Sequence, residues 1–302
     1  MKITDYLSIE EFKAFQERST WRALTILAIN WGAIIAVFVV VYQYPNPLTV
    51  LIGLFLLAGR LQGLGVIMHE CGHKSFFPQR WANQWVGQWL AAAPAFDHLE
   101  SYARQHREHH RLAGTPQDPD LANYQAYPVS RSSFRRKIIR DLTGQTGVKL
   151  MAYKLGGLRG AFSKDPEVRK SAMPFVQLWL VQAVILAVQT ITLSAWLYLL
   201  WLGAMMTVHM LAVRLRQISE HAAVPDLNSS DPRDNTRTTY TNWFTRLWLG
   251  PNQVNYHLEH HLAAGIPAYR LKALHELLKA RGAYDDTRIF KSYREVLNHA
   301  VV

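Results

Sequence analysis

Three short runs in this chain of 302 residues concentrate its histidines: His69-Glu-Cys-Gly-His73, His106-Arg-Glu-His109-His110 and His257-Leu-Glu-His260-His261. They hold eight of the 13 histidines, and two of them share the pattern His-x-x-His-His. Imidazole is the commonest metal-binding side chain, and it suits iron, zinc, copper and nickel. Residues three and four apart lie on one face of a helix, so each run aims two or three ring nitrogens at one point. Eight rings are too many for one ion with four to six positions, so the runs call for two metals close together. A lone histidine carries no such meaning. His98, His275 and His299 read as surface or satisfied core residues.

The elements that position these runs are apolar. Hydrophobic residues make up 49% of the chain and charged residues 18%, below the roughly 25% of ordinary soluble domains. The 10 tryptophans and 13 tyrosines suit membrane–water interfaces. Residues 23–59 and 171–213 contain no Asp, Glu, Lys or Arg. A crossing needs about 20 residues, so each window can cross a bilayer and return. Spans are expected at 23–42, 48–68, 174–193 and 195–212, with Pro45-Asn-Pro47 turning the first pair. The second span delivers His69 at its end. Arg60 and Gln62 interrupt it, either facing the protein interior or, for Arg60, snorkelling to the headgroups.

Between the spans, 81–96 reads as an interfacial or re-entrant segment and 102–112 as a helix carrying the second run. Residues 131–142 set Arg131, Arg135, Arg136, Lys137 and Arg140 against Phe134, Ile138, Ile139 and Leu142, the pattern of a helix lying in the plane of an anionic membrane surface. Residues 144–164 carry five glycines (144, 147, 156, 157 and 160) and are expected to form a mobile loop. An amphipathic helix around 271–280 is expected to close the chain. The first 22 residues do not read as a signal peptide, since residues 1–17 are mixed and acidic without an apolar core. The single cysteine, Cys71, excludes an internal disulfide and reads as a small filler between two histidines.

Charge distribution orients the spans. The turns at 43–48 and 189–196 contain no Lys or Arg, so by the positive-inside rule both hairpins enter from the cytoplasm and return to it. All three runs and both termini are then cytoplasmic. The net charge of +11 is accounted for by topology and by anionic lipid, so the expected partner is the bilayer and not nucleic acid. The fold class is all-α and integral to the membrane. One domain over 1–302 comprises four transmembrane helices in two hairpins, interfacial helices and a cytoplasmic helical cap around a histidine-rich di-metal site.

In motif, order and spacing to the spans, the chain resembles the membrane fatty acid desaturase superfamily. Members show one His-x(3,4)-His box and two His-x(2,3)-His-His boxes around two membrane hairpins. The third box here reads Asn255-Tyr-His257-Leu-Glu-His260-His261, and the match covers roughly residues 20 to 280. The family has a further histidine before the third box, which Arg216-Gln-Ile-Ser-Glu-His221 resembles. His209 reads instead as a packing or hydrogen-bonding residue. The resemblance implies nine ligands: His69, His73, His106, His109, His110, His221, His257, His260 and His261. It also implies two iron ions and O₂ as co-substrate. The substrate would be an acyl-lipid, acyl-CoA or acyl-carrier, and the electron donor a ferredoxin or cytochrome b5.

Ligating histidines usually donate their second N–H to a carboxylate or carbonyl. Glu70, Glu108, Asp118, Asp120, Glu220 and Glu259 are the candidate acceptors, and Asn255 is a candidate hydrogen-bonding group. Two departures bear on the substrate and leave the metal site intact. Leu262-Ala-Ala-Gly-Ile-Pro267 replaces an early Phe-Pro pair, and Gln217 stands where some members have Asn. The chain has no His-Pro-Gly-Gly haem segment and no cysteine cluster, so a separate carrier is expected. The leading expectation is an O₂-dependent acyl desaturase. A lipid or carotenoid hydroxylase or ketolase with the same irons is the alternative, and a zinc-dependent membrane hydrolase a remote one.

Overall fold

A computed structural model describes residues 1–302. The helices are α1 (Ile9–Gln16), α2 (Thr20–Gln43), α3 (Pro47–Gly72), α4 (Arg80–Val86), α5 (Leu99–Leu112), α6 (Arg131–Leu142), α7 (Gln145–Gly157), α8 (Pro166–Thr192), α9 (Leu197–Met206) and α10 (Val208–His221). Beyond them lie α11 (Pro232–Asn235), α12 (Trp243–Trp248), α13 (His257–Leu262), α14 (Ala268–Ala280) and α15 (Tyr293–Ala300). Extended pairing is limited to two isolated bridges, Val129 with Val301 and Thr239 with Phe290.

Four stretches are long and apolar enough to cross a membrane: Thr20–Gln43, Pro47–Gly72, Pro166–Thr192 and Leu197–His221. The most apolar window of α3 is 56% buried inside the protein, against 22% for α2 and 17% for α8, so α3 is the central helix. Its Leu57, Leu61 and Leu64 pack with Ile34 and Phe38 of α2, Leu178 of α8, and Leu197 and Trp201 of α9. The outer faces of α2 and α8 leave Ile29, Ile35, Leu180, Val184 and Val188 exposed. Such a belt is stable against lipid and not against water.

The spans depart from expectation at their ends. The third begins at Pro166, eight residues before Pro174. Asp165 caps it by accepting the Glu167 N–H, and Pro174 lies inside the helix. The carbonyl that Pro174 leaves unpaired belongs to exposed Lys170, where solvent or headgroups can serve it. The fourth does not stop at 212. It breaks at Thr207 and continues as α10 to His221. Its polar residues are paired there: Arg214 with buried Asp141, and Arg216 with Glu220 at 2.6 Å.

Residues 144–164 are not a loop. They form α7 followed by a 3₁₀ turn, Leu158–Phe162. Two of the glycines serve close approach. A Cβ at Gly147 would lie 2.4 Å from the Met206 Cα, and one at Gly157 would lie 2.4 Å from the Phe175 ring. Glycine count signals contact with a neighbouring helix as readily as flexibility. Nor does the chain close at residue 280, since Ser292 caps a further helix, α15.

Residues 81–96 comprise α4 and one π-helical segment, Gly87–Ala92, as a non-spanning element packed on α3. The short apolar helix α12 was not expected. It lies against the middle of α3, where Phe244 stacks on Phe55 and the Leu247 carbonyl sits where a Gly59 Cβ would be. Arg60 donates to that same carbonyl at 2.8 Å, so its charge faces α12. Helix α6 docks on α10 through Asp141 and Arg214 and leaves Ile139 and Leu142 exposed.

Candidate metal centre

Four elements bring nine histidines together. His69 lies in the last turn of α3 and His73 caps that helix. His106, His109 and His110 share one face of α5, His221 ends α10, and His257, His260 and His261 lie on α13. Their ring nitrogens form two groups, each within 4.8 Å of one another: His69, His73, His106, His110 and His260, and His109, His221, His257 and His261. Either group could hold a metal ion. Box membership does not follow this division, because the second and third boxes each contribute to both groups.

The contacts among the nitrogens lie at hydrogen-bonding distance, but protons alone do not satisfy all of them. His110 Nε2 lies 3.1 Å from His106 Nε2 and 2.9 Å from His260 Nε2. His257 Nε2 lies 2.9 Å from His221 Nε2 and 3.1 Å from His261 Nε2. One proton can bridge one such pair but not a nitrogen shared between two pairs. The Nε2 atoms of His69 and His73 are buried with no protein partner. A cation at the centre of each group satisfies all of these lone pairs, and an all-imidazole donor set fits iron.

The surroundings favour the neutral, ligating form of six of these rings. Burial and the neighbouring Arg107 push His73 down to about 4. Burial, then the adjacent histidines, pushes His110 down to about 2 and holds His106, His257, His260 and His261 well below the usual imidazole range.

The second ring nitrogens find several of the expected acceptors. His69 Nδ1 meets Glu70 Oε1 at 3.1 Å, and the same carboxylate accepts from Ser75 Oγ and from the Ala268 N–H at the start of α14. His109 Nδ1 meets Asp118 Oδ1 at 2.8 Å. Glu220 Oε1 lies 3.6 Å from His257 Nδ1, held by Arg216. Other candidates lie elsewhere. Glu108 is exposed and pairs with Arg111, because its side chain leaves α5 on the opposite face. Asp120 accepts from Gln105 and touches no histidine. Asn255 is buried, but its amide donates to the Thr239 carbonyl. Glu259 is fully buried and receives Thr238, His275 Nδ1 and Tyr284, tying α13 to α14 instead of orienting a cluster histidine. His275 is thus a satisfied core residue. Cys71 is buried and packs in the adjoining apolar cluster.

Sequence reasoning missed three supports. The Asn235 carbonyl lies 3.0 Å from His221 Nδ1. Tyr124 stacks on His221 and donates its hydroxyl to Asp118. Tyr102 stacks on His106 with 17° between the rings. A backbone carbonyl and isolated tyrosines leave no local signature that could have singled them out.

A cavity of about 940 Å³ opens onto His106, His109, His221 and His257. It runs between α3, α5, α7, α8 and α10, past Leu61, Met68, Phe96, Leu150, Phe175 and Met205. The arrangement is that of a helical membrane protein carrying two histidine pockets at the end of a cavity among its spans.

Comparison with known proteins agrees. The fatty acid desaturase family model matches residues 45–293, and the chain belongs to that family. It is therefore an oxidoreductase. It is 26% identical to an sn-1 oleoyl-lipid 12-desaturase of a Synechocystis species, over 92% of this chain and 82% of that one. It is 27% identical to the dihydrorhizobitoxine desaturase of Bradyrhizobium elkanii, over 78% of this chain and 67% of that one. A shorter match, 31% identical over 30% of this chain and 24% of the relative, is to an sn-1 acyl-lipid omega-3 desaturase (ferredoxin) of a Nostoc species.

Proposed function

We propose that the protein is a di-iron fatty acyl desaturase. One iron is held by His69, His73, His106, His110 and His260, and the other by His109, His221, His257 and His261. The observation that carries this reading is the pair of histidine groups, five and four ring nitrogens, at the end of a cavity among the spans. Bound iron supplies the reduction of O₂ that removes hydrogen from an unactivated C–H bond. In the overall balance the chain loses two hydrogens and gains a C=C bond. O₂ takes those hydrogens, two electrons and two further protons, and leaves as two waters. The protein's residues orient the ring nitrogens, exclude water from the cavity and align the acyl chain along it. Two of the three named relatives are acyl-lipid desaturases, which favours an acyl-lipid as substrate.

The spans form two hairpins whose Lys- and Arg-free turns face away from the cytoplasm, which puts the histidines and both termini on the cytoplasmic side. Electrons come from a separate carrier such as ferredoxin or cytochrome b5. Arg135, Arg136 and Arg140 of α6 are exposed beside α10 and form a basic surface for an acidic carrier. Lys137 is excluded from that surface because its ammonium lies 4.4 Å from the centre of the Tyr127 ring.

Expression in cells followed by lipid profiling under ¹⁸O₂ tests the reading. A new C=C bond without label in the lipid supports it, and label retained in the product shows hydroxylation instead. Two subsidiary outcomes are expected. Asp118→Asn should weaken iron retention about 10- to 100-fold, read as iron per protein after dialysis against a chelator. Unchanged retention would remove Asp118 from the site. Neutralising Arg135, Arg136 and Arg140 together should raise KM for an acidic ferredoxin at low salt and leave kcat in place. A KM that does not move removes α6 as the docking surface.

A further inference from the structure

The cavity has polar groups that the chemistry at the histidines does not use. Gln62 of α3 and His209 of α10 both line it, and both lie within the apolar spans. Gln62 is 2% exposed and its Oε1 has no partner. His209 is 7% exposed, and its Nδ1 lies 3.4 Å from the Ala58 carbonyl. Donation there leaves Nε2 as an acceptor toward the cavity.

A buried amide or imidazole without a partner is destabilising, and polar groups at membrane depth mark ligand paths. Two other polar side chains in these spans are satisfied by protein. Asn30 donates to the Arg60 carbonyl, and Gln182 donates to the carbonyls of Ala93 and Pro94. Gln189 also lacks partners but does not line the cavity.

Position ties Gln62 to the histidines. Ala58, Gln62, Gly65 and His69 follow at spacings of four, three and four on one face of α3. At 1.5 Å per residue, Gln62 lies about 10 Å along the helix from His69. Between them, a Cβ on Gly65 would meet nothing within 4 Å, so open space lies beside this stretch of α3.

We propose that Gln62 and His209 form a binding subsite for a hydroxyl group carried by an aliphatic substrate, with Gln62 about two helical turns from His69 along α3. A hydroxyl donates to Gln62 Oε1 or His209 Nε2 and accepts from the Gln62 amide. A plain alkyl segment leaves Gln62 Oε1 and His209 Nε2 unpaired. The substrate class is then a hydroxylated chain. The subsite itself stands on the cavity, while the identity of the bond attacked rests on the desaturase reading above.

The test uses the full chain in lipid nanodiscs, with octanol and octane as probes and ligand-observed NMR corrected for empty discs. Wild type should bind octanol about 10-fold more tightly than octane at equal free activity. Gln62→Leu and His209→Phe should each bring that ratio close to one. The unfolding temperature of Gln62→Leu should hold or rise, because an unpaired buried amide is removed. Equal binding by wild type, as expected if a trapped water serves the two side chains, would overturn the proposal. So would an unaltered preference in Gln62→Leu and His209→Phe, or a loss of stability in Gln62→Leu with the preference intact. None of these readings requires turnover. A chain that binds octanol selectively yet makes no C=C bond would sink the desaturase reading and leave the subsite standing.

Discussion

His110→Ala is expected to abolish product formation and to lower metal content in the same preparation. His110 stands where the two histidine groups meet. Its Nε2 is within 3.1 Å of the corresponding atoms of His106 and His260, and its ring stacks on His261 of the other group with centroids 4.4 Å apart. Removing it takes one donor from the five-nitrogen group and opens space beside the four-nitrogen group. Altering residues that only orient a metal ligand typically costs 10- to 100-fold, so loss of a ligand at this junction should exceed about 100-fold. Lipid profiling of expressing cells gives the product, and atomic absorption on purified protein gives the metal ratio. Full metal content with wild-type product would show that His110 is not a ligand. The helix should survive, because alanine favours α5 and the His110 ring is only half-buried.

The second large effect is on stability. Glu259→Leu should destabilise the protein by about 3–5 kcal/mol. The Glu259 carboxylate is fully buried and receives Thr238, His275 Nδ1 at 2.6 Å and the Tyr284 hydroxyl at 2.6 Å. Leucine fills similar volume but leaves three buried groups without their acceptor, each worth about 1–3 kcal/mol. Glu259→Gln keeps one acceptor oxygen and should lose less. Thermal unfolding in detergent, followed by light scattering, measures the difference. The effect should reach the histidines as well, since α13 carries both Glu259 and the third box. If Glu259→Leu unfolds like wild type, the carboxylate does not hold α13 to α14.

Much of the site was written in local spacing. His-x-x-His-His on a helix must project its nitrogens from one face, and charge-free windows of this length must avoid water. The boxes and the four apolar spans were therefore legible without coordinates. His221 needed the family resemblance, because nothing within Ser219-Glu-His221 separates it from an ordinary core histidine. The segment 144–164 was misread because glycine composition does not distinguish a flexible link from a helix pressed against Met206 and Phe175. Helix α12, six residues long, was too short to show a period. Glu108 and Asp118 look equally eligible in sequence. They were separated only by which face of α5 points to solvent and by the loop that returns Asp118 to His109.

The sequence by itself determined that this chain places histidine-rich helical turns at the ends of apolar spans, because helical pitch and transfer from water act on neighbouring residues. Only the tertiary structure decided how the nine rings divide five and four, which carbonyls and carboxylates take their second N–H, and that Gln62 and His209 face one cavity. Those relations join residues as far apart as His69 and His260. They depend on which helices meet and at what depth, and no spacing along the chain encodes that.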